Sequence, residues 1–271
     1  MAQIVDPSTW HCKKQGAGPP LLLIHGLGAS SFSFRKNRLP LGEKFRVLAV
    51  DLPAHGSSPA PIDADYRLEA LTQGLNDFLE LQGLRQVAVA GNCLGGSLAL
   101  MLARDYPERV SALILLDPAV ALTRVPWMFY PLRLPVLGGM AAALAGPWTI
   151  PFALRLAYHR WELITPEVVA GYARPFRELP RRLAFRRFCQ QLKIPPLPEI
   201  EGMLQKISQP AVLIWGKEDH ILPVSQASWV QERLPQAEPH ILRDVGHAPQ
   251  EEAPDAVNEI IIDFLARAIN N

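Results

Sequence analysis

Val87-Ala88-Val89-Ala90-Gly91-Asn92-Cys93-Leu94-Gly95-Gly96 is the stretch from which the rest of the chain can be read. Val87 to Gly91 is a short apolar run of the kind that forms a strand buried on both faces. Leu94 to Arg104 continues as an amphipathic helical pattern. Between them the form G-x-C-x-G puts a cysteine on a sharp strand-to-helix turn. A residue on such a turn has strained backbone angles, and the small residues two positions before and after it, Gly91 and Gly95, let chain segments approach. The helix start also brings positive dipole density and free N–H groups beside Cys93, which favours negative charge on its sulfur and on an adjacent oxyanion. Cys93 is therefore expected to be an activated nucleophile. Cys12 and Cys189 are expected to be inert buried thiols, the commoner state of a free cysteine.

Four more apolar runs match the first: Leu21 to His25, Arg46 to Leu52, Ala112 to Asp117 and Ala211 to Gly216. Helical patterns at Leu68 to Leu81, Leu94 to Arg104 and Val224 to Leu234 alternate with the runs, which implies a parallel sheet flanked by helices, hence an α/β fold. A last helix is expected from Pro254 to Ala268, with Ile260, Ile261, Phe264 and Leu265 on one stripe. The rhythm breaks between Asp117 and Ile207, where prolines and aromatics are frequent and no buried strand is evident. This segment reads as an inserted helical subdomain.

Composition removes several functional classes. With 271 residues, 49% hydrophobic and 20% charged, the chain can bury a large core and is poorly explained as disordered or coiled-coil. Its net charge of +1 argues against a general nucleic-acid binder. Three scattered cysteines are too few for a disulfide framework or a zinc site. The N-terminus Met1-Ala2-Gln3-Ile4-Val5-Asp6-Pro7 lacks the charged start and apolar run of a secretory signal, which makes the cytoplasm the expected location. The most apolar stretch, Leu134 to Gly146, is too short to span a bilayer.

Other chemistry-bearing residues fall where strands end. Leu21 to Ile24 runs into His25-Gly26-Leu27-Gly28, a turn whose Leu27 N–H, with that of Leu94, could hold the oxyanion of a tetrahedral intermediate. His25 itself reads as a loop-shaping hydrogen bonder. A base and its orienting acid must converge on Cys93 from separate loops. Asp219 follows the run Ala211 to Ile214, and His247 lies in Asp244-Val245-Gly246-His247-Ala248 after His240 to Leu242. Asp117, at the end of its own strand, is the alternative acid, and Asp244 reads as a loop carboxylate.

The order nucleophile, acid, histidine resembles the α/β-hydrolase superfamily, and the resemblance spans most of the chain. Asp51-Leu52-Pro53-Ala54-His55-Gly56-Ser57-Ser58 is similar to the family's structural D-x-P-G-x-G-x-S loop, with Ala54 in place of a glycine. The resemblance implies a mostly parallel eight-stranded sheet with an antiparallel second strand. It further implies a core of residues 1–118 and 208–271 and a helical cap at 119–207. Carried over, it makes Cys93 nucleophile, His247 base, Asp219 acid, and Leu27 and Leu94 oxyanion donors. The departure is cysteine where most members carry serine, as in dienelactone hydrolases and polyhydroxyalkanoate synthases, which puts the reaction subtype in question.

Between Pro118 and Trp161 there is no acidic residue, while Trp127, Met128, Phe129, Tyr130, Trp148, Phe152 and Tyr158 supply large apolar surfaces. A hydrophobic acyl or ring-bearing substrate fits that composition. Residues 119–198 hold eleven basic and three acidic side chains, a net charge of +8. The run Arg174 to Arg187 reads as a solvated face or as a basic amphipathic surface for an anionic membrane or an acidic substrate. Four functions remain open: a cofactor-independent esterase or thioesterase working through a covalent acyl-enzyme, an acyltransferase at the same site, a carbon–carbon bond hydrolase, and a small-ligand binder or receptor. Oligomeric state is not legible.

Overall fold

The computed structural model describes residues 3–120 and 127–270. Among them seven strands form one sheet in the order β1-β3-β2-β4-β5-β6-β7. These are β1 (Cys12–Gln15), β2 (Pro20–Ile24), β3 (Arg46–Val50), β4 (Val87–Asn92), β5 (Val110–Leu116), β6 (Ala211–Gly216) and β7 (Ala237–Leu242). All neighbours are parallel except β1 with β3. The five apolar runs read from the sequence are β2 to β6. The seventh strand extends back from His240 to Ala237 along the sheet edge, where Pro239 is tolerated because its missing N–H costs no central ladder bond.

The expected count of eight strands is thus corrected to seven, and the antiparallel strand is the first, not the second. The cause lies just ahead of β1. Asp6 and Pro7 open a 3-10 turn over Pro7–Thr9, with the Asp6 carboxylate accepting from the Ser8 N–H. Pro7 has no N–H to offer a ladder. Trp10 leaves the turn to stack on Phe78, in a notch at Gly74 that a Cβ would fill.

The helices used below are α1 (Leu68–Leu81), α2 (Leu94–Asp105), α3 (Leu137–Leu144), α4 (Ile150–Ala157), α5 (Leu179–Gln191), α6 (Ser225–Arg233) and α7 (Pro254–Asn270). Alternate strand residues feed two cores, as the period of two requires. Leu21, Leu23, Ala88, Ile114 and Val212 pack with Val257, Ile261, Phe264 and Leu265 of α7. Leu22, Ile24, Val89, Leu113 and Leu213 pack with the apolar stripes of α1 and α2. Both faces are covered, which is why these strands are continuous apolar runs.

Between β5 and β6 the described residues form helices only. Ile150, Leu154, Tyr158, Val168 and Ala173 make a satellite core that reaches Ala248 of the sheet domain. Arg181 of α5 donates to the carbonyls of Gly56 and Ser58, tying the insertion to the Asp51–Ser58 loop. That loop is structural. Asp51 accepts from the N–H groups of Ser31 and Ser57, and a Cβ on Gly56 would collide with the carboxylate. Ala54, where the related loops carry glycine, takes φ 64°. No single described helix is long and apolar enough to cross a membrane; α3 and Pro147–Ala157 together have the composition, but they are bent by 84°.

Two close backbone approaches lie at the end of β4. A Cβ on Gly95 would lie 2.1 Å from the Ile24 carbonyl oxygen, and one on Gly91 would lie 2.2 Å from that of Gly95. Both obstacles are backbone, which cannot rotate away. Gly95→Ala is therefore expected to cost roughly 1–3 kcal/mol or more through overpacking. The check is the thermal or urea unfolding midpoint, and an unchanged midpoint would contradict this packing.

Candidate active site

Cys93 joins β4 to α2 with φ 53° and ψ −114°, a conformation that L side chains rarely adopt. Surrounding hydrogen bonds over-determine it. The Cys93 N–H donates to the Leu116 carbonyl at 2.9 Å, and the Cys93 carbonyl accepts from Gly96, Ser97 and Ala119. Strain persists at a position only when neighbours hold it, and such positions cluster at functional sites. The other two cysteines differ. Burial pushes the thiols of Cys12 and Cys189 up to about 11 and about 12, leaving them protonated and unreactive.

Asp219 lies in the turn after β6 and His247 in the loop after β7. One Asp219 oxygen accepts from the N–H groups of Ile221 and Leu222 at 2.7 and 2.8 Å. The other meets His247 Nδ1 at 2.6 Å. That bond fixes the proton on Nδ1 and leaves Nε2 as the working nitrogen. Cys93 and His247 line the same cavity, close enough for the charge of Cys93 to act on the imidazole. Burial pulls the His247 pKa down, but the charges of Cys93 and Asp219 outweigh it and hold the value well above the ordinary histidine range. The structure thus brings Asp219 and His247 into direct contact and places His247 and Cys93 on the wall of one cavity.

On the other side of Cys93 runs the turn after β2. A Cβ on Gly26 would come within 3.2 Å of Cys93 Cβ, so the Gly26–Leu27 backbone passes directly beside the sulfur-bearing residue. Leu27 and Leu94 both line the cavity over Cys93. As the first residue of α2, Leu94 has no intrahelical acceptor for its N–H. His25 shapes this turn. Its Nδ1 donates to the Gly26 carbonyl at 2.8 Å, and its Nε2 accepts from the Leu52 N–H at 3.0 Å, so the ring is a buried neutral bridge. Burial lowers its pKa, in keeping with that form.

Asp117 occupies φ 41° and is fully buried. Its Oδ1 accepts from the Gly216 N–H at 2.9 Å, and its Oδ2 has no partner. His247 pairs with Asp219, not with Asp117. Ligand atoms of Asp117, Asp219 and His247 do lie within 4.8 Å of one another. The Asp219 and His247 atoms facing each other are already spent on their mutual hydrogen bond, which describes a proton relay better than a metal cage. Burial first, and then the Asp219 charge, hold the Asp117 carboxyl well above the usual carboxylate range.

Two supporting residues had no sequence signal strong enough to single them out. Asn92 Nδ2 donates to the carbonyls of Leu116 and His247, tying the end of β4 to the histidine loop. Glu252 accepts from the N–H groups of Gly246, His159 and Arg160, and the His247 N–H donates to the Ala157 carbonyl at 2.7 Å. The helical insertion therefore grips the histidine loop from behind. The available hint was the pair Glu251-Glu252 shortly after His247, two acids beside an otherwise apolar loop.

Above Cys93 opens a cavity of about 790 Å³ whose lining is mainly apolar and aromatic. Leu154, Phe176, Phe185 and Leu222 contribute to it, as do Trp127, Phe129, Trp148, Phe152 and Tyr158 from the acid-free stretch.

Asp219→Asn is expected to lower kcat/KM by roughly 10² to 10⁴, since the relay loses its orienting charge, while Asp117→Asn stays within about tenfold. Equal losses would contradict the assignment. Asp117 gives a pH signature as well. Because its folded pKa is raised, folding takes up a proton, and stability falls as pH rises from the ordinary carboxyl value through the raised one. Asn tolerates positive φ and carries no charge. The melting temperature of Asp117→Asn should therefore exceed that of the parent near neutral pH, with the gap closing toward about pH 4.

Comparison with known proteins agrees with this architecture. The family model described as alpha/beta hydrolase fold matches residues 19–254. An uncharacterized hydrolase, YugF, of Bacillus subtilis is 30% identical over 90% of this chain and 89% of its own. The magnesium-chelatase 30 kDa subunit of Rhodobacter capsulatus is 31% identical over 96% and 92%. A 2-hydroxy-6-oxononadienedioate/2-hydroxy-6-oxononatrienedioate hydrolase of Klebsiella pneumoniae is 27% identical over 92% and 87%. With a strained strand-to-helix elbow, an acid after β6 and a histidine after β7 on a mostly parallel sheet, the chain belongs to the alpha/beta hydrolase fold family.

Proposed function

We propose that the protein hydrolyses carboxylic esters or thioesters carrying a hydrophobic acyl or ring group, with Cys93 as nucleophile. The observation that carries this reading is the buried imidazole of His247, bonded to Asp219 at 2.6 Å and sharing with the strained Cys93 the lining of one apolar cavity.

With the thiol proton already held on His247 Nε2, the Cys93 thiolate adds through Sγ to the substrate carbonyl carbon. The developing oxyanion is held by the N–H groups of Leu27 and Leu94. Collapse of the tetrahedral intermediate expels the alcohol or thiol, which takes its proton from His247 and leaves a thioester on Cys93. Neutral His247 then removes a proton from water as its oxygen attacks the thioester. A second collapse releases the carboxylic acid and leaves the thiolate beside the protonated His247. Asp219 orients the ring and balances the imidazolium throughout. An acceptor other than water would make the same site an acyltransferase. In this reading residues 119–207 act as a cap that supplies the hydrophobic wall. The reducing cytoplasm suits an enzyme whose thiol must stay free.

Carbon–carbon bond hydrolysis is the second reading, favoured by the Klebsiella relative. A dicarboxylate would require unengaged cations in the cavity. Of the lining cations, Arg104 is paired with Asp105, while Arg182 and Lys193 have no carboxylate within ion-pair distance among the described residues. The mainly apolar remainder of the lining favours the ester or thioester of a hydrophobic group.

Intact-mass spectrometry with p-nitrophenyl esters and acyl thioesters of graded chain length tests the proposal. An acyl adduct on the parent that is missing from Cys93→Ala, and that decays in water, is the expected result. Decay only with an added acceptor would point to a transferase. No adduct, with turnover of a vinylogous diketone, would replace the reading by carbon–carbon cleavage. Thermal stabilisation by a ligand without turnover would replace it by a binding role.

A further inference from the structure

The exposed apolar side chains of this protein concentrate on one part of the helical insertion. Val136 is 80% exposed, Leu144 73% and Trp148 65%, and Leu134, Leu137 and Met140 are exposed beside them. Such a contiguous apolar surface is costly in water and marks an interaction site. Its geometry is that of a surface element: α3 has eight residues, about 12 Å at 1.5 Å per residue, and the chain turns by 84° into the next helix.

What surrounds this face is cationic. Arg186 of α5 donates to the carbonyls of Leu134 and Pro135 and has its Nε near Gly138, while Arg182 lies against Gly146. Among the described residues neither guanidinium has a carboxylate within ion-pair distance. No acid occurs between Pro118 and Trp161. A second protein copy would bring this same cationic rim against itself. A negatively charged lipid surface matches both the apolar centre and the rim.

We propose that the face formed by α3 and the turn on either side of it docks on an anionic lipid bilayer, lying in the headgroup plane without crossing it. The basic run Arg174 to Arg187 then serves as the rim and the anchor of α3, not as the inserting face. Leu144 and Trp148 also line the cavity above Cys93, so its mouth opens where the lipid would be. The docking claim stands independently of the chemistry at Cys93.

Val136 and Met140 do not line the cavity, which makes Val136→Glu with Met140→Glu the diagnostic variant. The experiment is co-sedimentation with phosphatidylcholine vesicles, with and without phosphatidylglycerol. The parent and Cys93→Ala should bind the phosphatidylglycerol vesicles in preference, less so as salt rises. The double variant should bind at least about tenfold more weakly, since two inserting apolar side chains become carboxylates that an anionic surface repels. Its melting temperature should match the parent's. Absence of binding, equal binding to both vesicles, or undiminished binding by the variant would overturn the proposal. So would a lipid-free dimer that the variant converts to monomer, because a second copy would then cover the face. Failure of Cys93 to form an adduct leaves each of these outcomes unaffected.

Discussion

Gly95 passes the Ile24 carbonyl so closely that no side-chain carbon fits between them, and much of the site depends on that contact. It lets α2 start immediately beside the end of β2, which brings the Gly26–Leu27 turn alongside Cys93. It also forces Cys93 through positive φ, so that its side chain stands clear of both the strand and the helix. A larger residue at position 95 would separate the two loops that together could receive an oxyanion. Local backbone strain at Cys93 is thus offset by three hydrogen bonds to its carbonyl and one from its N–H.

The second dependency runs between the sheet domain and the helical insertion. His247 does not rest on the sheet alone. Its N–H is bonded to Ala157 of α4, and the loop it occupies is closed by Glu252, which simultaneously receives the N–H groups of His159 and Arg160. Next to this, the wholly buried Glu251 pairs with Arg35 and accepts from the Tyr172 hydroxyl. Breaking one member of a buried pair leaves an uncompensated charge, so this joint is rigid in practice. The wall of the cavity and His247 are therefore positioned by one set of contacts.

Much of this was legible in the sequence because it depends on local pattern. Five strands were marked by apolar runs with both faces buried, and α1 was bounded correctly at Leu68 and Leu81 by its periodicity. Cys93, Asp219 and His247 were legible because each follows a strand end, and parallel strands bring their ends together. The strand count failed where a local turn, Asp6-Pro7, overrode the expected pattern. Choosing between Asp117 and Asp219 needed distances, since both are acids after adjacent strands. Glu252 and Asn92 act through contacts about 90 and 155 residues away in sequence; the paired acids after His247 hint that Glu252 matters but do not identify its partners. The sequence marked Leu134 to Gly146 as the most apolar stretch of the chain, but its exposure needed the fold.

The account turns on His247 being a buried base held between Asp219 and Cys93. The most direct measurement is nitrogen-15 NMR of its imidazole ring across pH, in the parent and in Cys93→Ala. The account predicts a ring that keeps both protons well above the ordinary histidine range of about 6.5, with the Nδ1 proton strongly hydrogen-bonded, and a titration that moves down when the thiol is removed. A ring that titrates at or below the ordinary range, and identically in the two proteins, would contradict it.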